Sequence, residues 1–172
     1  MRVTSACLFI LISSVLLPSR AFGQENSTNA SATCNFDEEK QLVAQYQPVA
    51  VSAKKSLSSQ VPFGKVWAPG GKPITLFTNT GVQVGSRVLP VGAYTMFVVP
   101  SPKQWTLIVS KSTDMSGAYN GQDDLVRVPM DSGELPSPET SLSIAFEHTG
   151  PGQCNLRIDL DKFGHFVTFQ QK

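Results

Sequence analysis

The stretch Val82–Pro100, VQVGSRVLPVGAYTMFVVP, contains the signals that decide the fold. Val82–Val84 and Arg87–Leu89 flank a two-residue loop that begins with Gly85, and glycine at this position is typical of a type II′ β-hairpin. Downstream, Tyr94–Val99 is an almost unbroken apolar run, which predicts a central strand covered on both sides. We therefore expect a hairpin followed by a buried strand.

The remainder of the chain from Gln41 repeats this pattern of short strands separated by Gly, Pro, Asn and Asp, at a spacing of about 8 to 15 residues. Residues 142–147 and 156–161 alternate apolar and polar side chains, so each has one wet face. A turn at Asp161–Gly164 is expected to lead into a last strand, His165–Gln170. We predict an all-β fold with little helix, an antiparallel β-sandwich of the jelly-roll-like or Greek-key type.

The first 23 residues have the features of a cleavable export signal. Arg2 supplies the positive charge, Ala6–Leu17 the apolar stretch, and Ala21–Gly23 the small residues that favour cleavage before Gln24. No later stretch has the roughly 20 apolar residues needed for a membrane-spanning helix. We expect an exported protein, periplasmic or extracellular, without a transmembrane segment in the mature chain.

The mature chain is predicted to be a flexible tether followed by one domain. Residues 24–40 form the tether, since Gln24–Thr33 is small and polar and buries too little apolar area to offset its ordering entropy. Phe36–Tyr46 suits either a short helix or, in its second half, a first strand, and we favour the strand. Residues 41–172 form the β-sandwich domain.

Two cysteines remain after removal of the leader, Cys34 and Cys154. An even count in an exported chain predicts a disulfide bond between them. It would close a loop of about 120 residues, for which the chain-entropy model gives roughly 4 to 5 kcal/mol. The alternative is a pair of buried free thiols. A metal site built on both has no supporting histidine spacing.

Charge is nearly balanced in total, with a formal net charge of +1, but it is unevenly distributed. Residues 40–111 contain basic residues and no acid, whereas acids dominate after Ser112. This suits a basic surface for an anionic ligand. It equally suits a sandwich whose two halves interleave and mix the charges, and we favour that interpretation. We expect no nucleic-acid partner.

Motifs that mark a catalytic or cofactor site are absent. Neither Gly-x-Ser-x-Gly, HExxH nor a complete phosphate-binding loop occurs, and Gly70-Gly71-Lys72 is followed by Pro73 instead of Ser or Thr. His148 and His165 lie outside any recognisable motif, so we assign them surface or structural roles. We predict no cofactor, no metal site and no identifiable catalytic residue.

The most site-like segment is Val61–Lys72, VPFGKVWAPGGK, which we expect to be largely loop. Trp67 beside Lys65 and Lys72 would stack a ring-shaped ligand and hold an anion. A second loop with Tyr119 and Asn120 is expected to meet the first at one rim. The competing interpretation is that Phe63 and Trp67 close the open end of the sandwich.

The segments VPFGKVW (61–67), LPVGAYTMFVVP (89–100), QWTLIVSK (104–111), GAYN (117–120) and LVRV (125–128) resemble a bacterial exported family, domain of unknown function 2911. The resemblance runs from Tyr46 to Phe169 and implies export and a shared fold, but no activity. The family pattern Arg-x-Gly-Ala-Asn-Glu after the tryptophan is replaced here by residues 68–73, APGGKP. A polar site formed by those family residues would be altered in this chain.

The sequence supports two classes of function. The first is a non-enzymatic binding or envelope-associated module, with a cell-surface glycan or a small anionic ligand at Lys65, Trp67, Lys72, Tyr119 and Asn120. The alternative is a hydrolase with a dispersed carboxylate site, because glycosidase chemistry needs only two carboxylates across a cleft. The sequence does not predict the oligomeric state.

Overall fold

The computed structural model describes residues 29–52, 54–55 and 57–172. The predicted leader, 1–23, and the first part of the predicted tether lie outside these residues. The described residues form eleven strands in chain order: β1 Ala30–Asn35, β2 Gln41–Tyr46, β3 Val49–Ala50, β4 Ile74–Thr78, β5 Val82–Val84, β6 Arg87–Leu89, β7 Gly92–Val99, β8 Thr106–Ser110, β9 Asp124–Pro129, β10 Asp131–Gly150 and β11 Gln153–Gln171. Three short 3₁₀ turns occupy Leu57–Ser59, Pro69–Gly71 and Gly121–Asp123.

The strands form two antiparallel sheets, which confirms the predicted β-sandwich. Sheet 1 has the order β1-β2-β4-β7-β8-β9, and sheet 2 has the order β3-β10-β11-β5-β6. No helix in the described part of the chain is long and apolar enough to cross a bilayer.

The predicted hairpin and central strand are both present. Val84 pairs with Arg87 across the two-residue turn, and Gly85 has a φ of 55°. β7 lies between β4 and β8, and its residues Tyr94–Val98 are buried. The chain leaves sheet 2 after β6 and enters sheet 1 with β7, so these two signals mark the crossing between the layers.

Alternate residues of the strands build one core between the sheets. Sheet 1 contributes side chains such as Leu76, Met96 and Leu107, and sheet 2 contributes side chains such as Ile158 and Phe169. All five are completely buried. Burial of a large aliphatic or aromatic side chain stabilises a fold by roughly 1.5 to 3 kcal/mol. This inner layer therefore fixes the register of each strand.

The disulfide between Cys34 and Cys154 is present and joins the two sheets. Cys34 lies on β1, at the edge of sheet 1, and Cys154 lies on β11, the middle strand of sheet 2. Both residues are completely buried. The bond connects positions separated by 120 residues.

Part of the predicted tether is ordered. Ala30–Asn35 forms β1 and pairs along its whole length with β2, so the prediction of a flexible segment is wrong for these residues. The small polar side chains cannot build a core of their own, but an edge strand needs only backbone hydrogen bonds and one buried anchor, which is Cys34. The Gln41–Tyr46 segment is a strand, as we favoured.

The predicted turn at Asp161–Gly164 is wrong, because β11 continues through it. Gly164 pairs with Gly133, and Asp161 pairs with Glu139, with an irregularity of the register between them. Asp161 has a φ of 55°, which allows the strand to bulge without ending. The partner segment, residues 131–138, reads DSGELPSP and did not resemble a strand.

We expect Gly85→Ala to destabilise the protein by about 1 to 2 kcal/mol, since a non-glycine residue is disfavoured at this φ. A Cβ added there would also lie 2.9 Å from Cγ2 of Val128, on sheet 1. Urea unfolding followed by circular dichroism measures the change. Gly133→Ala is the matched control, because nothing lies within 4 Å of its added Cβ. Equal losses in the two variants would contradict this account.

Candidate functional site

One end of the sandwich contains a cavity of about 240 Å³ with an aromatic wall, which we call the end cavity. It is formed by the loops before β4 and between β7 and β8, together with the start of β10 and the middle of β11. The lining residues are Leu57, Phe63, Ser101, Pro102, Lys103, Trp105, Ser132, Phe163 and His165.

The inner wall of the end cavity is a stacked pair of rings. The imidazole of His165 lies parallel to the indole of Trp105, with centroids 4.1 Å apart and an interplanar angle of 12°. Trp67 contacts Trp105 in a T-shaped arrangement, with a centroid distance of 6.3 Å and an interplanar angle of 77°. Trp105 is only 2% exposed. The rings therefore hold His165 in a fixed orientation.

The inward position of His165 follows from the alternation of side chains along β11. His165 alternates with Val167 and Phe169, and both of these point into the core. The same alternation places Trp105 with Leu107 and Val109 on the inner face of sheet 1. At the end of the sandwich the two rows meet, which brings histidine and tryptophan face to face.

His165 is a buried polar group without a partner for one of its nitrogen atoms. The residue is 9% exposed, and its Nδ1 is buried with no hydrogen bond to another described atom. Burial disfavours the charged ring and lowers the pKa of His165 from 6.5 to about 4. The imidazole is therefore neutral at pH 7 and offers one donor and one acceptor.

The rim of the end cavity is mixed in character. Phe163 is 41% exposed, and Lys103 is an exposed cation. Ser101 Oγ accepts a hydrogen bond from the backbone N–H of Lys103, at 3.2 Å, and one from that of Gln104, at 3.4 Å. This local turn places a positive charge beside an apolar ring.

The structure does not bring the five predicted binding residues into one site. Lys65 is exposed on the loop before β4. On the same loop, Trp67 is partly buried and pairs through its backbone with Val98, with N···O distances of 2.8 and 3.1 Å. Of the two interpretations of Trp67, its packing favours the one that closes the end of the sandwich.

Lys72 lies elsewhere, in what we call the outer-face cleft, on the solvent side of sheet 1. This cleft has a volume of about 210 Å³ and is lined by Asn29, Gln45, Tyr46, Gln47, Lys72, Pro73, Thr75 and Met115. The loop that contains Tyr119 does reach the first loop, as expected, since a Cβ on Gly117 would lie 2.5 Å from the backbone oxygen of Gly71.

Tyr119 and Asn120 are engaged in contacts within the chain. Tyr119 stacks edge-on against Phe97 at 5.2 Å, and its hydroxyl donates a hydrogen bond to Asp124 at 2.7 Å. Arg127 binds the same carboxylate at 2.8 Å and also contacts the Tyr119 hydroxyl. Asn120 accepts from the N–H of Gln122 and donates to Asp123. These bonds stabilise the loop over sheet 1.

Sequence reasoning did not identify the end cavity, although the alternation of inward and outward side chains along the last strand could have indicated it. The alternation His165, Val167, Phe169 places the imidazole on an apolar face, which is an unusual environment for a ring that titrates near neutral pH. The pairing of that ring with Trp105 joins positions 60 residues apart in the chain, so no local motif marks it.

The protein should lose stability as the pH falls through the range in which unfolded histidine takes up a proton. The folded pKa of His165 lies below the unfolded value, so the stabilisation is complete above pH 6.5 and is lost as the pH falls towards 4. Because one pKa unit corresponds to about 1.4 kcal/mol, we expect a contribution of up to about 3 kcal/mol.

Urea unfolding of the wild type and of His165→Phe at pH 7.5 and pH 4.5 tests this expectation. The variant keeps a ring against Trp105 but cannot take up a proton, so it should lose less stability between the two pH values. An identical pH dependence in the wild type and His165→Phe would contradict the assignment.

Comparison with known proteins gives a family but no activity. The family model described as "Protein of unknown function (DUF2911)" matches residues 27–169. No curated protein and no solved structure matches the chain.

Proposed function

The chain belongs to the DUF2911 family, and from this premise we propose that it is an exported binding module that takes one ring of a glycan, neutral or acidic, into the end cavity. The volume of about 240 Å³ lies below the roughly 300 to 1,000 Å³ of pockets that hold drug-sized ligands. One sugar ring at the end of a larger molecule suits this size. The buried disulfide is consistent with export, because such bonds persist in oxidising compartments.

The observation that carries the proposal is the unpartnered Nδ1 of His165 in an aromatic wall. Buried polar atoms in proteins are nearly always hydrogen-bonded, and an exception calls for a physical reason. A ligand hydroxyl would satisfy this nitrogen after small movements of the side chains that now cover it. Ligand sites typically combine such an isolated polar group with apolar and aromatic walls.

The rim supports recognition of a ring with a negative substituent. Phe163 presents an exposed aromatic side chain on which the apolar face of a sugar can lie. Lys103 adds an exposed positive charge at the same rim. We therefore expect the cavity to accept neutral sugars and to favour hexuronic acids.

The state of His165 favours binding over proton transfer. A general base works best with a pKa near the operating pH. With a pKa of about 4, His165 is a weak base at neutral pH, although it remains a good hydrogen-bonding group. Its parallel contact with Trp105 also holds the ring in place.

The hydrolase alternative has a different location and weaker support. Glu134 and Glu147 both line a shallow cavity of about 210 Å³ on the outer face of sheet 2, together with Arg157. The Glu147 side chain is 56% exposed and lies 3.4 Å from Arg157. An exposed carboxylate paired with arginine is common on protein surfaces and does not by itself indicate catalysis.

Ligand binding is tested by titrating the purified protein with hexoses, N-acetylhexosamines and hexuronic acids, followed by NMR or calorimetry. Phe163→Ala should weaken binding about tenfold, which corresponds to 1.4 kcal/mol. Lys103→Ala should weaken binding of the hexuronic acids alone. Phe77→Ala is a matched control, because Phe77 is equally exposed, at 40%, on the outer face of sheet 1.

Lys72→Ala distinguishes the end cavity from the outer-face cleft. If the end cavity is the site, this variant binds like the wild type. A loss of binding in Lys72→Ala with Phe163→Ala unaffected would move the site to the outer-face cleft and refute the proposal. Absence of binding by every sugar in the series would refute it as well.

A further inference from the structure

A second cluster of reactive groups lies around the disulfide, away from the end cavity. His148 is directly opposite Cys154 in the pairing of β10 with β11, and its Nδ1 lies 3.6 Å from the Sγ of Cys154. The Nδ1 atom and the two Sγ atoms of Cys34 and Cys154 all lie within 4.8 Å of one another. The sequence did not suggest this grouping, because its members come from three different strands.

One distance in this cluster matches that of a metal site with two thiolates and one imidazole. Tetrahedral zinc has Zn–S and Zn–N distances of about 2.3 and 2.0 to 2.1 Å, which places its sulfur and nitrogen ligands about 3.6 Å apart. The Nδ1–Sγ distance between His148 and Cys154 already has this value. In such a site the two sulfur atoms would stand about 3.8 Å apart, which requires that the bond between them be broken.

We propose that the reduced form of the protein binds one soft or borderline cation of the Zn²⁺ class through Cys34, Cys154 and His148. A dithiol reductant would open the disulfide, giving two protein thiols and a cyclic disulfide of the reductant. Binding of the cation then displaces the two thiol protons into solution. The fourth position is open to water, as in the three-ligand sites of zinc enzymes.

Burial and exposure in the cluster suit this role. Both cysteines are completely buried, whereas His148 is exposed at the surface. The histidine therefore lies on the solvent side of the cluster, and the buried sulfurs provide the strong ligands. Two thiolates and an imidazole select Zn²⁺ or Cu⁺ over Mg²⁺ and Ca²⁺, which prefer oxygen ligands. Oxidation removes both thiolates, so the site exists in one redox state only.

The test uses the purified protein reduced with a water-soluble phosphine under anaerobic conditions. Zn²⁺ is titrated by calorimetry, and Co²⁺ serves as an optical probe of tetrahedral thiolate coordination. We expect one equivalent of metal, release of two protons, and no binding by the oxidised protein. His148→Asn should weaken binding by at least about 10- to 100-fold, the loss seen when even an outer-shell partner of a metal ligand is removed.

Thr149→Asn is the matched control, because it changes an exposed neighbour of His148 on β10 and should leave the affinity unchanged. If the reduced chain unfolds without metal, Zn²⁺ should restore its β-sheet circular dichroism in the wild type but not in His148→Asn, because metal binding is then coupled to folding. Equal affinity of the reduced wild type and His148→Asn, or no binding by the reduced wild type, would overturn the proposal.

Discussion

The contact between the inner faces of the two sheets is the interaction on which the rest of the structure depends. Strand alternation supplies one apolar row per strand, and β7 occupies the middle of sheet 1 with five consecutive buried residues, Tyr94–Val98. The two sheets cover the core on their inner faces but leave it open at the ends of the sandwich. Loops and large side chains must therefore shield the core from solvent there. One end is covered by Phe63, Trp67 and Trp105, and the end cavity is the space that this covering leaves.

The sequence predicted the parts of the fold that obey local rules. The hairpin at Gly85, the buried strand β7 and the paired cysteines each follow from a residue type in a simple context. The course of β10 and β11 did not, because Pro136 and Pro138 suppress the strand signal in β10 and Asp161 resembles a turn residue. There, pairing between neighbouring strands outweighs the preferences of single residues.

The candidate site was less accessible to sequence reasoning for a related reason. A loop rich in aromatic and basic residues, such as Val61–Lys72, suggests a ligand surface, but part of this loop seals the core and part lines a cleft on the outer face. His165 shows the reverse, since it belongs to a regular strand and gains its character from Trp105 on the other sheet. Contacts of this kind depend on register between sheets, which local patterns do not specify.

The position of the disulfide also determines how the protein responds to mechanical load. Force applied through the segment that precedes β1 would peel Ala30–Thr33 away from β2 one hydrogen-bonded pair at a time. At Cys34 the peeling stops, because the covalent link transfers the load to Cys154 on β11, which pairs there with His148 of β10. Further extension must disturb sheet 2 as well, so the fold resists traction from its N-terminal side better than an edge strand alone would.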